Sequence, residues 1–165
     1  MLISMESYSK RWRFEFNPEK SIEVTFGEST KTYNLLKNKR KWWLNDSPVK
    51  VQQSCEHVGM ILAGDDSLGE QCEVAAKKGK EVVSCLLSCG VRPGGLNPIC
   101  GAHLWRTVGL ARMLYSCELW NNMSKSDLLK LEVSNRFAGK RIQGLCNTTR
   151  SEAVTGSIGP WTIEG

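Results

Sequence analysis

The sequence has no uninterrupted apolar run of the length that a membrane-spanning helix requires. Its most apolar stretch, residues 98–120, is interrupted by His103, Arg106, Arg112 and Glu118. The start of the chain, MLISMESYSKRWR, lacks the basic region followed by an apolar run that marks a secretory signal. We therefore expect an intracellular protein, nuclear or cytoplasmic, that is not secreted and has no membrane partner.

The sequence also lacks the cysteine spacings of a disulfide framework or a zinc ribbon. It has seven cysteines, an odd number, with no C-x-x-C pair. Without a secretory route, these thiols are expected to be reduced. Cys85, Cys89, Cys100 and His103 could supply four zinc ligands, but their spacing is not that of a finger or ribbon. Because free cysteine also packs as a small apolar side chain, we expect no metal site and no cofactor in this chain.

What the sequence does contain is the composition of a globular domain with an uneven charge. Hydrophobic residues make up 41% of the 165 residues and charged residues 24%. Residues 1–50 carry a net charge of +4, residues 51–100 carry −2 and residues 101–165 carry +3. Two basic segments that flank an acidic one permit a nucleic-acid partner without requiring one.

The first part of the chain is predicted to form short strands after one helix. Residues 2–11 favour the end of a helix, and residues 28–41 are polar and basic and favour a loop. Strands are predicted by alternating apolar residues on both sides of the turn at Asn17-Pro18, by residues 42–51 with a turn at 45–48, and by residues 55–62. Trp12 and Trp42 are expected to pack in the core.

The second part is predicted to form three helices. The first begins near Glu70, with Asp66 or Ser67 as its N-cap, and ends at the breakers of CGVRPGGLNP. The second runs from Pro98 to about Trp120 and is apolar on most sides, so Trp105, Tyr115 and Trp120 are expected to be buried. The third begins at the capping-box pattern of residues 124–127. Strands followed by helices indicate an α+β protein, with regions at 1–62, 63–145 and an irregular tail at 146–165.

The sequence Gly64-Asp65-Asp66 suggests a polymerase metal site, because two-metal catalysis uses carboxylates that converge on a pair of ions. A turn and a helix follow the pair here, however, and no aspartate-bearing strand closely precedes it. A short motif without its structural context has a high false-positive rate. We therefore interpret Asp65 and Asp66 as turn and capping residues.

Two stretches, KRWRF and KNKRKWW, interleave cations with aromatic residues. Cations can neutralise phosphates and aromatic rings can stack on bases. Phosphate contact and plain solvation are equally compatible with the densest cationic run, which comprises Lys37, Lys39, Arg40 and Lys41.

The segment SYSKRWRFEFNPEKSIEVTFG resembles the region downstream of the catalytic aspartates in reverse transcriptases of non-LTR (LINE-type) retrotransposons, which are RNA-directed DNA polymerases. Trp12, Phe16, Asn17 and Lys20 match that family. CEHVGMIL is similar to its primer-grip turn, with His57-Val58-Gly59 where an aromatic-Leu-Gly is usual. GLNP, LYSCELW and IQGL resemble the helical region that follows, with Ser116 where the family often has glycine. The resemblance covers about residues 2–150.

This resemblance implies the end of a polymerase palm, at residues 1–62, followed by a three-helix thumb. The family's aspartate turn, which holds Mg²⁺ in the intact enzyme, would lie upstream of residue 1, so no catalytic residue is expected here. The implied partner is an RNA or DNA primer–template, bound weakly and without sequence specificity. The residues expected to contact it are Lys20, Lys37, Lys39, Arg40, Lys41, His57, Gly59, Lys140 and Arg141. The alternative is a small basic nucleic-acid-binding or scaffolding protein derived from such an element.

We predict that the purified chain extends no primer on an RNA or DNA template with Mg²⁺ or Mn²⁺. The reason is that the two-metal mechanism needs converging carboxylates that this sequence does not supply. Primer extension that is lost in Asp65→Ala or Asp66→Ala would overturn the assignment to palm and thumb.

Overall fold

Turn residues divide the first part of the chain into helices and strands of a few residues each. The computed structural model describes residues 2–44, 46–158 and 163, and it separates the chain into two units, Met1–Ser67 and Leu68–Gly165. The first unit contains helices α1 (Leu2–Trp12) and α2 (Thr30–Leu36) and strands β1 (Ile22–Glu23), β2 (Trp43–Leu44), β3 (Ser47–Pro48), β4 (Lys50–Val51), β5 (Ser54–His57) and β6 (Met60–Ala63). The mixed α+β class predicted from the sequence is confirmed.

The strands pair in three two-stranded sheets within the described residues. β1 and β4 are parallel, whereas β2 pairs antiparallel with β3, and β5 with β6. The pair His57–Met60 closes the β5–β6 hairpin over a two-residue turn, Val58-Gly59. Both turn residues have positive φ, 50° and 78°, as a type I′ turn requires.

Several predictions for this unit are wrong. The strand expected at Trp12, Phe14 and Phe16 does not form. Trp12 ends α1, and the Phe14 ring packs instead against Tyr8 and Phe16, with ring centroids 6.0 and 5.2 Å apart. The loop expected at residues 28–41 contains α2, whose N-cap Ser29 accepts a hydrogen bond from the Thr32 backbone N–H.

The two tryptophans expected in the core also lie elsewhere, since Trp12 and Trp42 are both exposed. The turn predicted at Asn17-Pro18 is confirmed, because the Asn17 side chain accepts a hydrogen bond from the Glu19 N–H. The two strands predicted within residues 42–51 form as β2 and β3, although Asn45 of the predicted connecting turn lies outside the described residues.

The second unit is helical. Its elements are α3 (Gly69–Ser88), α4 (Pro98–Leu104), a π-helical segment (Trp105–Leu110), α5 (Ala111–Met113), a 3₁₀ turn (Cys117–Leu119), α6 (Lys125–Gln143) and α7 (Ser151–Ile158). Asn97 caps α4, with Pro98 in its first turn as predicted. Ser124 caps α6 by accepting the Asp127 N–H at 3.1 Å, which is the predicted cap.

The core of this unit lies where α3 packs against α6. Ala75, Val82 and Val83 of α3 are buried, as are Leu131, Ala138 and Ile142 of α6. The Ser134 hydroxyl donates to the Ala76 carbonyl at 2.9 Å, so the α6 backbone is held close to α3. Gly79 fits there because a Cβ at its position would lie 2.8 Å from Ser134 Oγ and from Met113 Sδ.

Trp105 is the largest side chain that is fully buried among the described residues, and it is 0% exposed. Its indole Nε1–H donates to Asn135 Oδ1 of α6 at 2.9 Å, which satisfies a donor buried away from water. The helix predicted from Pro98 to Trp120 is interrupted here by the π-helical segment. Gly109 allows the Trp105 ring to lie against the backbone, because any Cβ at that position would overlap the ring.

Three further predictions for this unit are wrong. Neither Asp66 nor Ser67 caps α3, because Leu68 precedes the helix and makes no side-chain capping bond. Tyr115 is 51% exposed, although Trp105 and Trp120 are buried as expected. The tail expected to be irregular contains α7, and the Gln143 side chain of α6 donates to the Val154 carbonyl of this helix at 3.1 Å.

We predict that Asn135→Ala lowers the free energy of unfolding by roughly 1–3 kcal/mol, because it leaves the buried Trp105 N–H without its acceptor. Urea denaturation followed by circular dichroism measures the loss. Asn121→Ala, at an exposed asparagine outside this core, is the control and should be neutral. Equal stability of the two variants would show that the hydrogen bond does not stabilise the fold.

Candidate nucleic-acid interface

A cavity in the first unit brings together two of the predicted lysines and three aromatic rings. Lys20 and Lys41 line it with Phe16, Trp42 and Trp43, and its volume is about 1010 Å³. Trp42 is 48% exposed and Trp43 is 56% exposed, so both rings are open to a ligand. Aromatic faces beside ammonium groups are the features with which proteins bind bases and phosphates of a single strand.

Turns position these side chains. Lys20 lies in the turn after Pro18, and its N–H donates to the Asn17 carbonyl at 3.2 Å. Lys41 and Trp42 directly precede β2, and the Trp42 carbonyl accepts the Val49 N–H at 2.8 Å. Trp43 lies opposite Pro48 in the β2–β3 ladder, so backbone pairing fixes its place at the cavity.

Glu23 of β1 also lines this cavity, and its carboxylate opposes an anionic ligand. One of its oxygens, Oε1, accepts a bond from the Thr25 hydroxyl at 3.4 Å. Arg40 lies close enough for Glu23 to favour the charged guanidinium. The negative charge of Glu23 is therefore partly balanced within the protein.

Arg40, predicted to contact phosphate, makes an intramolecular ion pair. Its guanidinium bonds to Glu28 and donates to the Thr25 hydroxyl at 2.9 Å. The hydrogen bond with Glu28 raises the pKa of Arg40 above its usual value. Lys37, Lys39 and Lys41 are exposed, and they form no ion pair within the described residues. Of the four cations in this run, Arg40 therefore has a structural role, whereas the three lysines are exposed to solvent.

His57 and Gly59 lie at the end of the β5–β6 hairpin. His57 ends β5 and is exposed, and Val58 beside it is 72% exposed despite its apolar side chain. A β-branched residue rarely adopts positive φ, so Val58 holds an unfavourable conformation at the point where the hairpin meets solvent. The two-residue turn of the β5–β6 hairpin imposes this conformation on Val58.

In the second unit, Lys140 and Arg141 lie in the last turn of α6. The Lys140 ammonium donates to the Asn147 carbonyl at 2.7 Å, and the Arg141 guanidinium lies 5.4 Å from the centroid of the Phe137 ring. Arg141 and Arg92 line a cavity of about 540 Å³ whose lining includes no carboxylate among the described residues.

Asp65 and Asp66 form a turn. Asp65 accepts the Ser67 N–H at 3.1 Å, and hydrogen bonds from Ser67 hold the pKa of the Asp65 carboxyl below its usual value. Asp66 has a φ of 55°. Gly64 is required by packing, because a Cβ there would lie 2.5 Å from the Thr25 carbonyl oxygen. The motif is thus explained by the local backbone.

Cys85 and Cys89 near the end of α3 are exposed, as are Cys100 and His103 of α4. Residues 2–44, 46–158 and 163 include no group of three or more His, Cys, Asp or Glu placed to hold a metal ion. In the same part of the chain, no helix combines the length and the apolar character needed to cross a membrane.

Comparison with family models, with curated proteins and with solved structures gives no match to this chain.

Sequence reasoning missed Trp42, Trp43 and Arg92 as candidate ligand contacts. For the two tryptophans, the adjacency of KRK to WW indicated a ligand contact, but the expectation that tryptophan packs in a core outweighed that indication. Arg92 stands among helix breakers, where nothing in the pattern indicates that the turn brings it to the end of α6.

We predict that Arg40→Ala lowers the unfolding midpoint in urea, because it leaves the half-buried Glu28 carboxylate without its cation. Lys39→Ala, next to it in sequence but exposed, is the control and should leave the midpoint unchanged. If Arg40→Ala leaves the unfolding midpoint unchanged but weakens nucleic-acid binding, Arg40 contacts the ligand as the sequence predicted, and its role is not structural.

Proposed function

We propose that this chain is a nucleic-acid-gripping part of a polymerase that resembles the non-LTR reverse transcriptases, comprising the end of the palm and a thumb and having no catalytic activity of its own. The observation that carries the proposal is the cavity of Lys20, Lys41, Trp42 and Trp43. It offers stacking faces and cations at one place, which is how proteins hold a strand without reading its sequence.

Two local features support the resemblance. His57-Val58-Gly59, matched to the primer-grip turn, lies at an exposed hairpin end, where a loop can reach a strand. Ser116, where the family often has glycine, has a φ of 60°, a left-handed conformation that glycine adopts at little cost. A glycine in the family at this position is therefore physically consistent with the backbone of this chain.

The second candidate is a small basic binding or scaffolding protein that acts independently of any polymerase. The turn at Asp65 and Asp66, which uses the Asp65 carboxylate for a local backbone bond, is compatible with both candidates. The two candidates share the gripping surface in the first unit and differ in whether the chain works with a catalytic partner.

We predict that Trp42→Ala and Trp43→Ala each weaken binding of a labelled single-stranded oligonucleotide by roughly 5- to 150-fold, because the stacking of a base on an aromatic ring contributes about 1–3 kcal/mol. Fluorescence anisotropy measures the affinity. Trp12→Ala is the matched control, because Trp12 is also exposed but does not line the cavity.

Lys20→Ala and Lys41→Ala should each flatten the dependence of log K on log salt by about 0.7, the value for one phosphate contact on a single strand. All oligonucleotide sequences should be affected alike. Binding that survives both tryptophan changes, or that selects one sequence tightly and without salt dependence, would contradict the proposal.

A further inference from the structure

Two cavities lie on one face of the α3–α6 pair, one near each end of the helices, and neither is part of the cavity that contains Lys20 and Lys41; we call the surface that they share the groove. At its start it is lined by residues spaced i, i+3, i+4 and i+7 on both helices: Glu73, Ala76, Lys77 and Lys80 of α3, and Ser126, Leu129, Lys130 and Val133 of α6. This spacing places each set on one face of its helix. The cavity there has a volume of about 450 Å³.

The two helices run in the same direction, so their other ends also lie together. Near the start of both, the Lys130 ammonium donates to the Gly69 carbonyl at 3.3 Å. At their end, Leu87 and Ser88 share the 540 Å³ cavity with Arg141 and Gly144. Leu87 follows Lys80 by seven residues and Arg141 follows Lys130 by eleven, so both cavities lie on the same face. The span from Glu73 to Ser88 is roughly 22 Å at 1.5 Å per residue.

The floor of this groove is apolar. Leu129 is 55% exposed and Val133 is 49% exposed, although they stand one turn apart in the middle of a helix whose opposite face is buried. Leu87, Pro93 and Leu145 extend the apolar lining at the far end. An amphipathic partner helix can lay its own apolar face against such a lining.

The margins of the groove are cationic. Lys77, Lys80, Arg92 and Arg141 line it, and among the described residues none of them forms an ion pair. Lys130, in contrast, forms ion pairs with Glu73 at 2.9 Å and with Asp127 at 3.3 Å. Because Glu73 is the one carboxylate in the described lining of the two cavities and is paired, the unpaired charge that lines both cavities is positive.

We propose that this groove binds an amphipathic helix of a partner protein, with apolar residues on one face and Asp or Glu on both flanks. The apolar floor favours a helix over a nucleic-acid strand, since phosphates would leave Leu129 and Val133 without apolar partners. The groove is long enough for about four turns of helix. The proposal assigns Arg141 to a protein partner, whereas the sequence predicted that it contacts nucleic acid.

The test uses the whole chain and two fluorescent helical peptides of about four turns. Both peptides carry leucines at i, i+4, i+7 and i+11; one has Glu on the flanks and the other has Lys. The acidic peptide should bind at least about tenfold more tightly, and this advantage should shrink at high salt, where surface charges are screened. Equal binding of the two peptides, or no binding of either, overturns the proposal.

Variants then separate the contribution of the apolar floor to peptide binding from that of the cationic margins. Leu129→Ser and Val133→Ser should each weaken the acidic peptide by about tenfold or more, and Lys77→Glu with Lys80→Glu should reverse the preference between peptides. The matched controls are Leu119→Ser, at a leucine that is 64% exposed and lies outside the groove, and Lys78→Glu, on α3 but outside the lining. Circular dichroism checks that each variant folds.

A single-stranded oligonucleotide distinguishes the other class of ligand. If it displaces the acidic peptide, and its own binding depends on Lys77 and Lys80 but not on Leu129 and Val133, the groove is a nucleic-acid surface and the proposal is wrong. Unchanged peptide binding in Trp42→Ala is expected, because that residue serves the proposed gripping cavity in the other unit.

Discussion

The close approach of α3 and α6 is the contact on which the second unit depends. Small side chains make it possible, because Ala76, Gly79 and Ser134 leave room for one backbone to lie near the other. When the two helices are packed together, a space remains beside them, and the Trp105 side chain fills that space. The hydrogen bond from its indole to Asn135 then ties the intervening segment to α6. A larger residue at position 79 would force the Ser134 and Met113 side chains to move, because a Cβ there would lie 2.8 Å from Ser134 Oγ and from Met113 Sδ.

The same contact creates the surface that a partner can use. Two helices that run in the same direction leave a groove along their whole length, and the residues that line it follow from the helical repeat. The buried faces of α3 and α6 form the core. The lysines that line the groove, together with Leu129 and Val133, lie on the faces that are exposed to solvent. Stability and binding thus depend on opposite faces of the same helices, and the surface can change in sequence without loss of the core.

The first unit is organised differently. Its strands have two to four residues, and many of its large apolar side chains are exposed, including Trp12, Trp42 and Trp43. Exposed aromatic rings are costly for solubility but are available for stacking, and those of Trp42 and Trp43 lie beside Lys20 and Lys41. Neighbouring charged side chains of this unit differ in their environment. Arg40 is held by Glu28, whereas its sequence neighbours Lys39 and Lys41 remain in solvent. A run of cations in a sequence does not reveal this division.

The sequence by itself determined the features that depend on neighbours a few residues apart. These include the cap at Ser124, the first-turn position of Pro98, and the turns at Asn17 and Asp65, because each follows from local hydrogen bonding or local backbone geometry. Only the tertiary structure decided which tryptophans are buried, since Trp105 finds a space in the core and an acceptor on another helix whereas Trp42 remains 48% exposed. It also decided that Lys20 and Lys41 share a cavity and that Arg92 meets Arg141. Those pairings join residues 21 and 49 positions apart, and such distances are set by how the chain folds back on itself, which no local pattern encodes.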